Sequence, residues 1–177
     1  MAALVIHSRN KSDQALDDRR AFVEVWEKLH QQLLAELKGV DQIDWPRASV
    51  DSCSCRALGG GKKTGPSLVS RPKRGSKRHV IVNGQGNPLA ATVTAVNDHD
   101  VKQLEPLVDA VPPVRGRRGH PRRRPKRLYA DRAYDSDPQR KKLRRRRIEP
   151  VIARRNEPHG SGLGRIRWVV ENAKLVA

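Results

Sequence analysis

The first regular pattern of apolar positions lies between residues 21 and 44. Apolar side chains recur there at helical spacing, with charged and amide side chains between them. The apolar members are Phe22, Trp26, Leu29, Leu33 and Leu37. The pattern predicts an amphipathic helix that ends near Gly39. Such a stripe usually packs into the core, although a contact with a second copy or another partner stays open. Residues 1–20 lack this period, and we expect a loose N-terminus there.

Residues 45–177 alternate between short apolar runs and helical patterns. The runs predict strands over residues 47–52, 77–83, 88–96, 128–130 and 149–153, and the second and third of these form a hairpin. Helices are predicted over 101–110, 137–147 and 165–176. Capping-box patterns open the first two, at Asp100 with Gln103 and at Ser136 with Gln139. This order predicts an α/β domain whose mixed sheet joins an antiparallel hairpin to parallel strands, with flanking helices.

Charge is distributed unevenly along the 177 residues, whose formal net charge is +18. Residues 1–70 carry ten Lys or Arg against nine Asp or Glu, whereas residues 71–177 carry twenty-seven against ten. A surface this basic favours a polyanion partner, because Lys and Arg neutralise phosphates and release counterions. Residues 114–126 are rich in Arg, Gly and Pro without any acid. We favour a phosphate-tracking loop there over a disordered linker.

Cysteine content and hydropathy exclude other classes of protein. Cys53 and Cys55 stand alone and the six His are scattered, so a zinc site is not expected. Reduced thiols in a cytoplasmic protein are the preferred interpretation. No apolar run reaches the roughly 20 residues that a membrane span needs, and nothing resembles a signal peptide.

Carboxylates at the ends of predicted elements are the candidate chemistry. Asp131 directly follows the run Leu128–Ala130, and Asp51 has a matching setting after Ala48–Val50. Glu171 lies near the end of the chain. Open α/β sheets place ligands where strands end, and three carboxylates suit a divalent metal ion. The alternative is ordinary ion pairing, such as Asp131 with Arg132. Four further acids lie in turns or caps and are interpreted as structural, namely Asp98, Asp100, Asp135 and Asp137.

Several blocks of sequence, in order along residues 21–171, resemble one family. They are Trp45 to Ala57, Gly65 to Ser67, Arg74 to Lys77, Gly86 to Ala90, Asn97 to Asp100 with Leu104 to Leu107, Ala130 to Ser136, His159 to Gly164 and Arg167 to Glu171. The chain resembles bacterial insertion-sequence transposases of the DDE class. Within that class it is most similar to the group named after insertion sequence five, in the broader IS-four-like transposase domain.

The resemblance implies an RNase H-like fold and Mg²⁺-dependent cleavage and transfer of DNA strands, with Mn²⁺ as a substitute metal. Asp51, Asp131 and Glu171 match the catalytic, metal-binding triad. Arg167 matches an arginine that faces DNA phosphate or orients the acid. With the basic residues, the expected DNA contacts are Arg167, Arg132, Arg122, Arg123, Arg124, Lys141 and Arg144. The partners would be insertion-sequence ends and target DNA in the nucleoid, and a homo-oligomer stays open.

Departures from the family pattern occur at both ends of the chain. Residues 1–20 do not look like a DNA-recognition segment, and the chain stops six residues after Glu171. Residues 45–177 are therefore expected to be a C-terminally shortened catalytic domain, with reduced or no activity. Two alternatives remain, a non-enzymatic basic protein that binds nucleic acid and an RNA-binding or ribosome-associated protein.

Overall fold

The centre of the fold is a mixed β-sheet. The computed structural model describes residues 11–67, 73–115, 120–157 and 170, with side chains from residue 20 onward. Short 3₁₀ turns cover Asp100–Gln103 and Arg132–Tyr134. In chain order the other elements are α1 (Lys11–Gly39), β1 (Arg47–Arg56), β2 (Gly65–Pro66), β3 (Arg74–Asn83), β4 (Pro88–Ala95), α2 (Leu104–Asp109), β5 (Arg127–Ala130), α3 (Asp137–Arg145) and β6 (Glu149–Ile152).

Strand order combines the two kinds of pairing that the sequence predicts. Within the described residues the order is β2-β3-β1-β5-β6, and β4 also pairs with β3. β3 lies antiparallel to β1 and to β4, so the predicted hairpin is confirmed. β1 lies parallel to β5, and β5 lies parallel to β6 with α3 in the crossover between them. This is the RNase H-like arrangement that the resemblance implies.

Alternation along the strands gives the sheet two different faces. The first, which we call the helix face, carries Ala48, Val50, Ile81, Leu128 and Ala130, all buried in the main core. Leu34 of α1, three residues of α2 and Leu143 of α3 pack against it. The second, which we call the carboxylate face, carries the intervening residues, among them Ser49, Asp51 and Tyr129.

Helix α1 differs from the prediction in its start and in its contacts. It begins at Lys11, so the expectation of a loose N-terminus is wrong for residues 11–20. That segment contains no Gly or Pro, and a helix propagates through polar residues once it is nucleated. Of the predicted apolar stripe, only Leu37 packs against the core, and the four residues before it are exposed. Phe22 and Trp26 are 64% and 54% exposed, whereas Leu34, outside the stripe, is buried.

Both predicted capping boxes are absent. Asp100 opens only a 3₁₀ turn before α2, and neither the turn nor α2 has a side-chain cap hydrogen bond. Ser136 is the N-cap residue of α3, but its side chain also makes no capping bond. The reason at Asp100 is competition, because its carboxylate is engaged by Lys77 and Ser52. Leu104, Leu107 and Val108 are the buried residues of α2.

Arg140 is a buried residue on the otherwise strongly basic helix α3. Its guanidinium donates to Asp135 Oδ1 from Nη2 at 2.7 Å and from Nε at 3.1 Å. Nη2 also donates to the carbonyl of Ile152 at 2.8 Å. A buried arginine is tolerated when its charge is paired in this way. Asp135 is therefore an anchor between α3 and β6 rather than a simple turn residue.

Two further expectations concern sulfur chemistry and hydropathy. Cys53 and Cys55 are not joined in a disulfide. Among the described helices, none combines the length and apolar character needed to cross a bilayer.

Candidate active site

Two of the three predicted carboxylates lie on neighbouring parallel strands. Asp51 is in β1, and Asp131 is the first residue after β5. The parallel register aligns Ser49 with Tyr129. Continuing that register by two residues brings Asp131 opposite Asp51, on the same face of the sheet. Parallel neighbours are about 4.8 Å apart, so the two side chains leave the carboxylate face side by side.

Each carboxylate is oriented by a backbone N–H close in sequence. Ser52 N donates to Asp51 Oδ1 at 2.7 Å, and Ala133 N donates to Asp131 Oδ1 at 2.9 Å. Asp131 is the N-cap residue of the turn Arg132–Tyr134, and its backbone is still extended. Asp51 is only 7% exposed. Rigid elements and local hydrogen bonds thus fix both groups, as a catalytic site requires.

A buried polar cluster lies on the helix face, behind the aspartates. Tyr134 and His79 are fully buried, with His79 Nδ1 3.5 Å from the Tyr134 hydroxyl and Nε2 2.9 Å from the Thr94 hydroxyl. Burial raises the pKa of Tyr134, and the negative charges of Asp100, Asp51 and Asp131 raise it further. Burial also lowers the pKa of His79, and this outweighs the opposing effect of Asp100. The tyrosine is therefore a neutral phenol, and the histidine resists protonation.

An ion pair completes this cluster. Lys77 Nζ lies 2.7 Å from Asp100 Oδ1, with both side chains 14% exposed. Lys77 also donates to the carbonyl of Asp98 at 3.0 Å, and the Ser52 hydroxyl donates to Asp100 Oδ2 at 3.1 Å. Ser52 therefore connects this pair to the backbone beside Asp51. Lys77 and His79 are not among the site residues predicted from the sequence, although polar residues in an apolar strand are a signal for such a cluster.

One described residue from the C-terminal segment also reaches the carboxylate face. Val170 is helical and fully buried, in a cluster with Val80 and Val82 of β3. Val80 pairs directly with Asp51, so Val170 packs on the same face as that aspartate. The predicted residues Glu171 and Arg167 lie outside the described residues.

The donor set fits a hard divalent cation in part. Two carboxylates side by side offer oxygen ligands, which Mg²⁺ and Mn²⁺ prefer. Among the residues that the structure describes, there is no group of three or more His, Cys, Asp or Glu side chains that could hold a metal ion. A complete site of the predicted type would need Glu171 in addition.

The predicted DNA contacts are dispersed around the domain. Arg132 donates from Nη2 to the carbonyl of Glu157 at 2.7 Å. Arg144 lines a cavity of about 430 Å³ with Lys126 and Arg147, where β5 and β6 begin. That end of β5 is opposite to the end that carries Asp131. The remaining described contacts are exposed, namely Arg122, Arg123, Arg124 and Lys141.

Comparison with known proteins agrees with this architecture. The family described as "Transposase DDE domain" matches residues 47–173. A Burkholderia cepacia protein named "Putative transposase for insertion sequence element IS402" is 57% identical over 112 residues, or 63% of this chain and 53% of that protein. A second, "Insertion element IS402 uncharacterized 16.2 kDa protein" from the same organism, is 58% identical over 50 residues, or 27% of this chain and 34% of that protein. The chain thus spans about half of the length of the first relative and about a third of the length of the second.

Solved structures give weaker similarities. A piggyBac transposase synaptic complex with hairpin DNA is 14% identical with a TM-score of 0.44, covering 64% of this chain and 24% of that one. The Mos1 transposase paired-end complex is 13% identical with a TM-score of 0.37, covering 85% and 45%. These TM-scores are too low to bear on function. The family match extends over well over half of the sequence, and the chain therefore belongs to the transposase DDE domain family.

Proposed function

We propose that this chain contains the catalytic domain of an insertion-sequence transposase, which cleaves DNA strands and transfers them to a target. One observation carries the proposal. Asp51 and Asp131 lie in register on neighbouring parallel strands, in a chain that belongs to the transposase DDE domain family. The proposed catalytic and metal-binding residues are Asp51, Asp131 and Glu171. Glu171 is included because it follows Val170, which packs beside Asp51 on the carboxylate face.

The aspartates would hold Mg²⁺, or Mn²⁺ in its place, through their carboxylate oxygens. When bound, such an ion polarises phosphate oxygens and lowers the pKa of attacking water. The chain contributes orientation: the N–H groups of Ser52 and Ala133 fix the two carboxylates before any ligand arrives. Asp100, in its partly buried ion pair with Lys77, accepts a hydrogen bond from the Ser52 hydroxyl and so stiffens β1 at this point.

Duplex DNA is the proposed partner, with insertion-sequence ends and target DNA as its two forms. The charge of residues 71–177 supports it, since phosphate neutralisation dominates sequence-independent affinity. The proposed phosphate contacts are Arg167, Arg132, Arg122, Arg123, Arg124, Lys141 and Arg144. Arg144 lies at the opposite end of β5 from Asp131, so we infer that the duplex extends along the strand direction. A cytoplasmic, nucleoid-associated location and a homo-oligomer would accord with this role.

A second candidate is a non-enzymatic protein that binds nucleic acid. One observation favours it: Lys141 and Arg144 on α3 are exposed and can reach phosphates. Their neighbours Lys142 and Arg146 are instead paired with Glu105. Binding through this surface needs no metal. It predicts salt-sensitive affinity for DNA that is the same with and without Mg²⁺.

The decisive experiment compares metal binding and strand transfer in three proteins. They are the natural chain, the double variant Asp51→Asn with Asp131→Asn, and the control Asp41→Asn. Asp41 is an exposed residue in the left-handed region, which Asn adopts readily. We expect Mn²⁺ binding by calorimetry in the natural chain and the control, and its loss in the double variant. Strand-transfer products on a pre-cut DNA end should follow the same pattern.

The outcomes separate the two candidates. Metal-dependent products exclude a purely non-enzymatic protein. Equal Mn²⁺ affinity in the natural chain and the double variant contradicts the assignment of Asp51 and Asp131. Salt-sensitive DNA binding without metal affinity or products would favour the second candidate, and a preference for structured RNA would favour an RNA-binding role.

A further inference from the structure

Helix α1 carries an apolar surface that the fold leaves open. Six of its side chains between residues 22 and 33 are between 41% and 64% exposed. They are Phe22, Val23, Val25, Trp26, Leu29 and Leu33, which we call the α1 seam. Phe22 and Trp26 already contact each other edge to face, with ring centroids 5.8 Å apart. A continuous apolar surface of this kind marks an interaction site more often than a solvated surface.

The seam has the spacing of a helix that pairs with another helix. Phe22, Trp26, Leu29 and Leu33 follow one another at intervals of four, three and four residues, which are d, a, d and a positions of a heptad. Val23 and Val25 then occupy the flanking e and g positions. From residue 20 to residue 33 the charged side chains fall only at b, c and f positions, where they face solvent. The core-facing Leu34 is turned about 100° away from Leu33, so the seam and the core contact do not compete.

The near-neutral charge of this segment favours a second copy over nucleic acid as the occupant of the seam. Within residues 20–39 there are three Lys or Arg and three Asp or Glu, in a chain whose net charge is +18. An apolar surface without net charge offers phosphates little attraction. It is also a region where two copies of a basic chain can meet without placing their cationic surfaces together.

The area of the seam suffices for a symmetric pair. With aromatic side chains presenting roughly 200 Å² and aliphatic ones about 150 Å², the exposed parts of the six side chains amount to roughly 550 Å² in each copy. Two copies would cover roughly 1,100 Å², above the roughly 1,000 Å² that a specific interface should exceed. The seam spans only two heptads, but α1 is anchored in the fold through Leu34, so little ordering is needed on association.

We propose that α1 is a self-association helix, through which two copies of this chain pair by packing their seams against each other about a twofold axis. Such an isologous contact uses the same residues from both copies. Trp26 at a central a position and its neighbour Leu29 are the anchors of the interface, because buried aromatic residues dominate interface energetics. The proposal is independent of the aspartates and of any catalytic activity.

Sedimentation equilibrium of the full chain, from about 1 to about 100 µM in about 1 M NaCl, tests this proposal. The salt removes association through residual nucleic acid but strengthens apolar contacts. We expect a monomer–dimer equilibrium in the natural chain. The variant Trp26→Glu with Leu29→Glu should associate at least about thirtyfold more weakly. The matched control, Glu24→Gln with Lys28→Gln, alters the charged side of the same turns and should dimerise as before.

A second seam variant guards against loss of the helix itself. Phe22→Ala with Leu29→Ala removes apolar area while raising helix propensity, and circular dichroism verifies that α1 is retained. Dimers that disappear in both seam variants and persist in the control support the proposal. A natural chain that remains monomeric at the highest concentration overturns it. Dimers that persist in both seam variants overturn it too.

Discussion

The buried Arg140–Asp135 pair should be the most sensitive ionic contact in the described fold. We predict that Arg140→Ala destabilises the chain far more than the same change at Arg145, five residues further along α3. The two sites share a helix and a residue type but differ in burial. Arg140 is 6% exposed and ion-paired, whereas Arg145 lies on the solvent side.

The expected magnitude follows from what the substitution leaves behind. Arg140→Ala removes two hydrogen bonds from Asp135 and one from the carbonyl of Ile152. The side chain of Asp135 is only 17% exposed and keeps its bond from the backbone N–H of Arg155. Removing one partner of a buried pair costs about 3–5 kcal/mol, and the retained bond places this case near the lower end. Arg145→Ala should change the free energy of unfolding by at most about 0.5 kcal/mol.

Urea unfolding monitored by circular dichroism measures both variants under the same conditions. A loss of about 3 kcal/mol lowers the urea midpoint by roughly 1–2 M at an ordinary slope. Burial by itself raises the pKa of Asp135, but hydrogen bonds from Arg140 and Arg155 and the charges of Arg140 and Arg154 lower it overall. The pair therefore contributes stability above pH 3.8, and this contribution disappears as pH falls through the lowered pKa. If Arg140→Ala and Arg145→Ala shift the midpoint equally, burial does not strengthen this contact and the reasoning fails.

Three further predictions concern single positions. Burial lowers the pKa of His79 below 6.5, so stability should fall as pH drops through 6.5, by up to roughly 1.4 kcal/mol per pH unit, because only the unfolded chain takes up the proton. Urea titrations at several pH values should show that this pH dependence of stability is absent in the variant His79→Gln. Leu34→Ala should cost about 2–5 kcal/mol, against less than about 0.5 kcal/mol for Leu58→Ala at a 90% exposed site, and equal midpoints would contradict the role of Leu34 as the α1 anchor. Gly75→Ala would place a Cβ 2.8 Å from the carbonyl oxygen of Cys55 on β1. We expect the free energy of unfolding to fall by about 1–3 kcal/mol, which a thermal melt detects as a lower melting temperature. An unchanged melting temperature would mean that β1 and β3 can separate enough at this point to accommodate the Cβ.

Local pattern predicts the apolar parts of the sheet, because these are short runs between breakers, but it misses β2 and the polar halves of β1 and β3. The hairpin and the strand before Asp131 were predicted close to their observed bounds. The prediction that Asp51 closes a strand over residues 47–52 is wrong, because β1 continues to Arg56. Asp51 and Asp131 are still neighbours, because the parallel register of β1 and β5 brings them opposite each other.

Tertiary contacts decided what local pattern could not. The stripe on α1 has the period of a core helix, yet only the orientation of α1 on the sheet determines that Leu34 is buried and Trp26 is not. Asp100 has the spacing of a capping residue, but Lys77 lies close enough to take its carboxylate. Lys77 and Asp100 are distant in sequence, so helix propensity and residue spacing carry no information about their contact.

The register of β5 against β1 has a consequence for how this domain can vary. Successive residues of a strand point to opposite faces, so adding or deleting one residue within Arg127–Ala130 would turn Asp131 through the sheet, away from Asp51. Loops such as the one after β1 can change length without that effect. Natural insertions and deletions should therefore be absent from this four-residue strand, whatever their frequency in the connections around it.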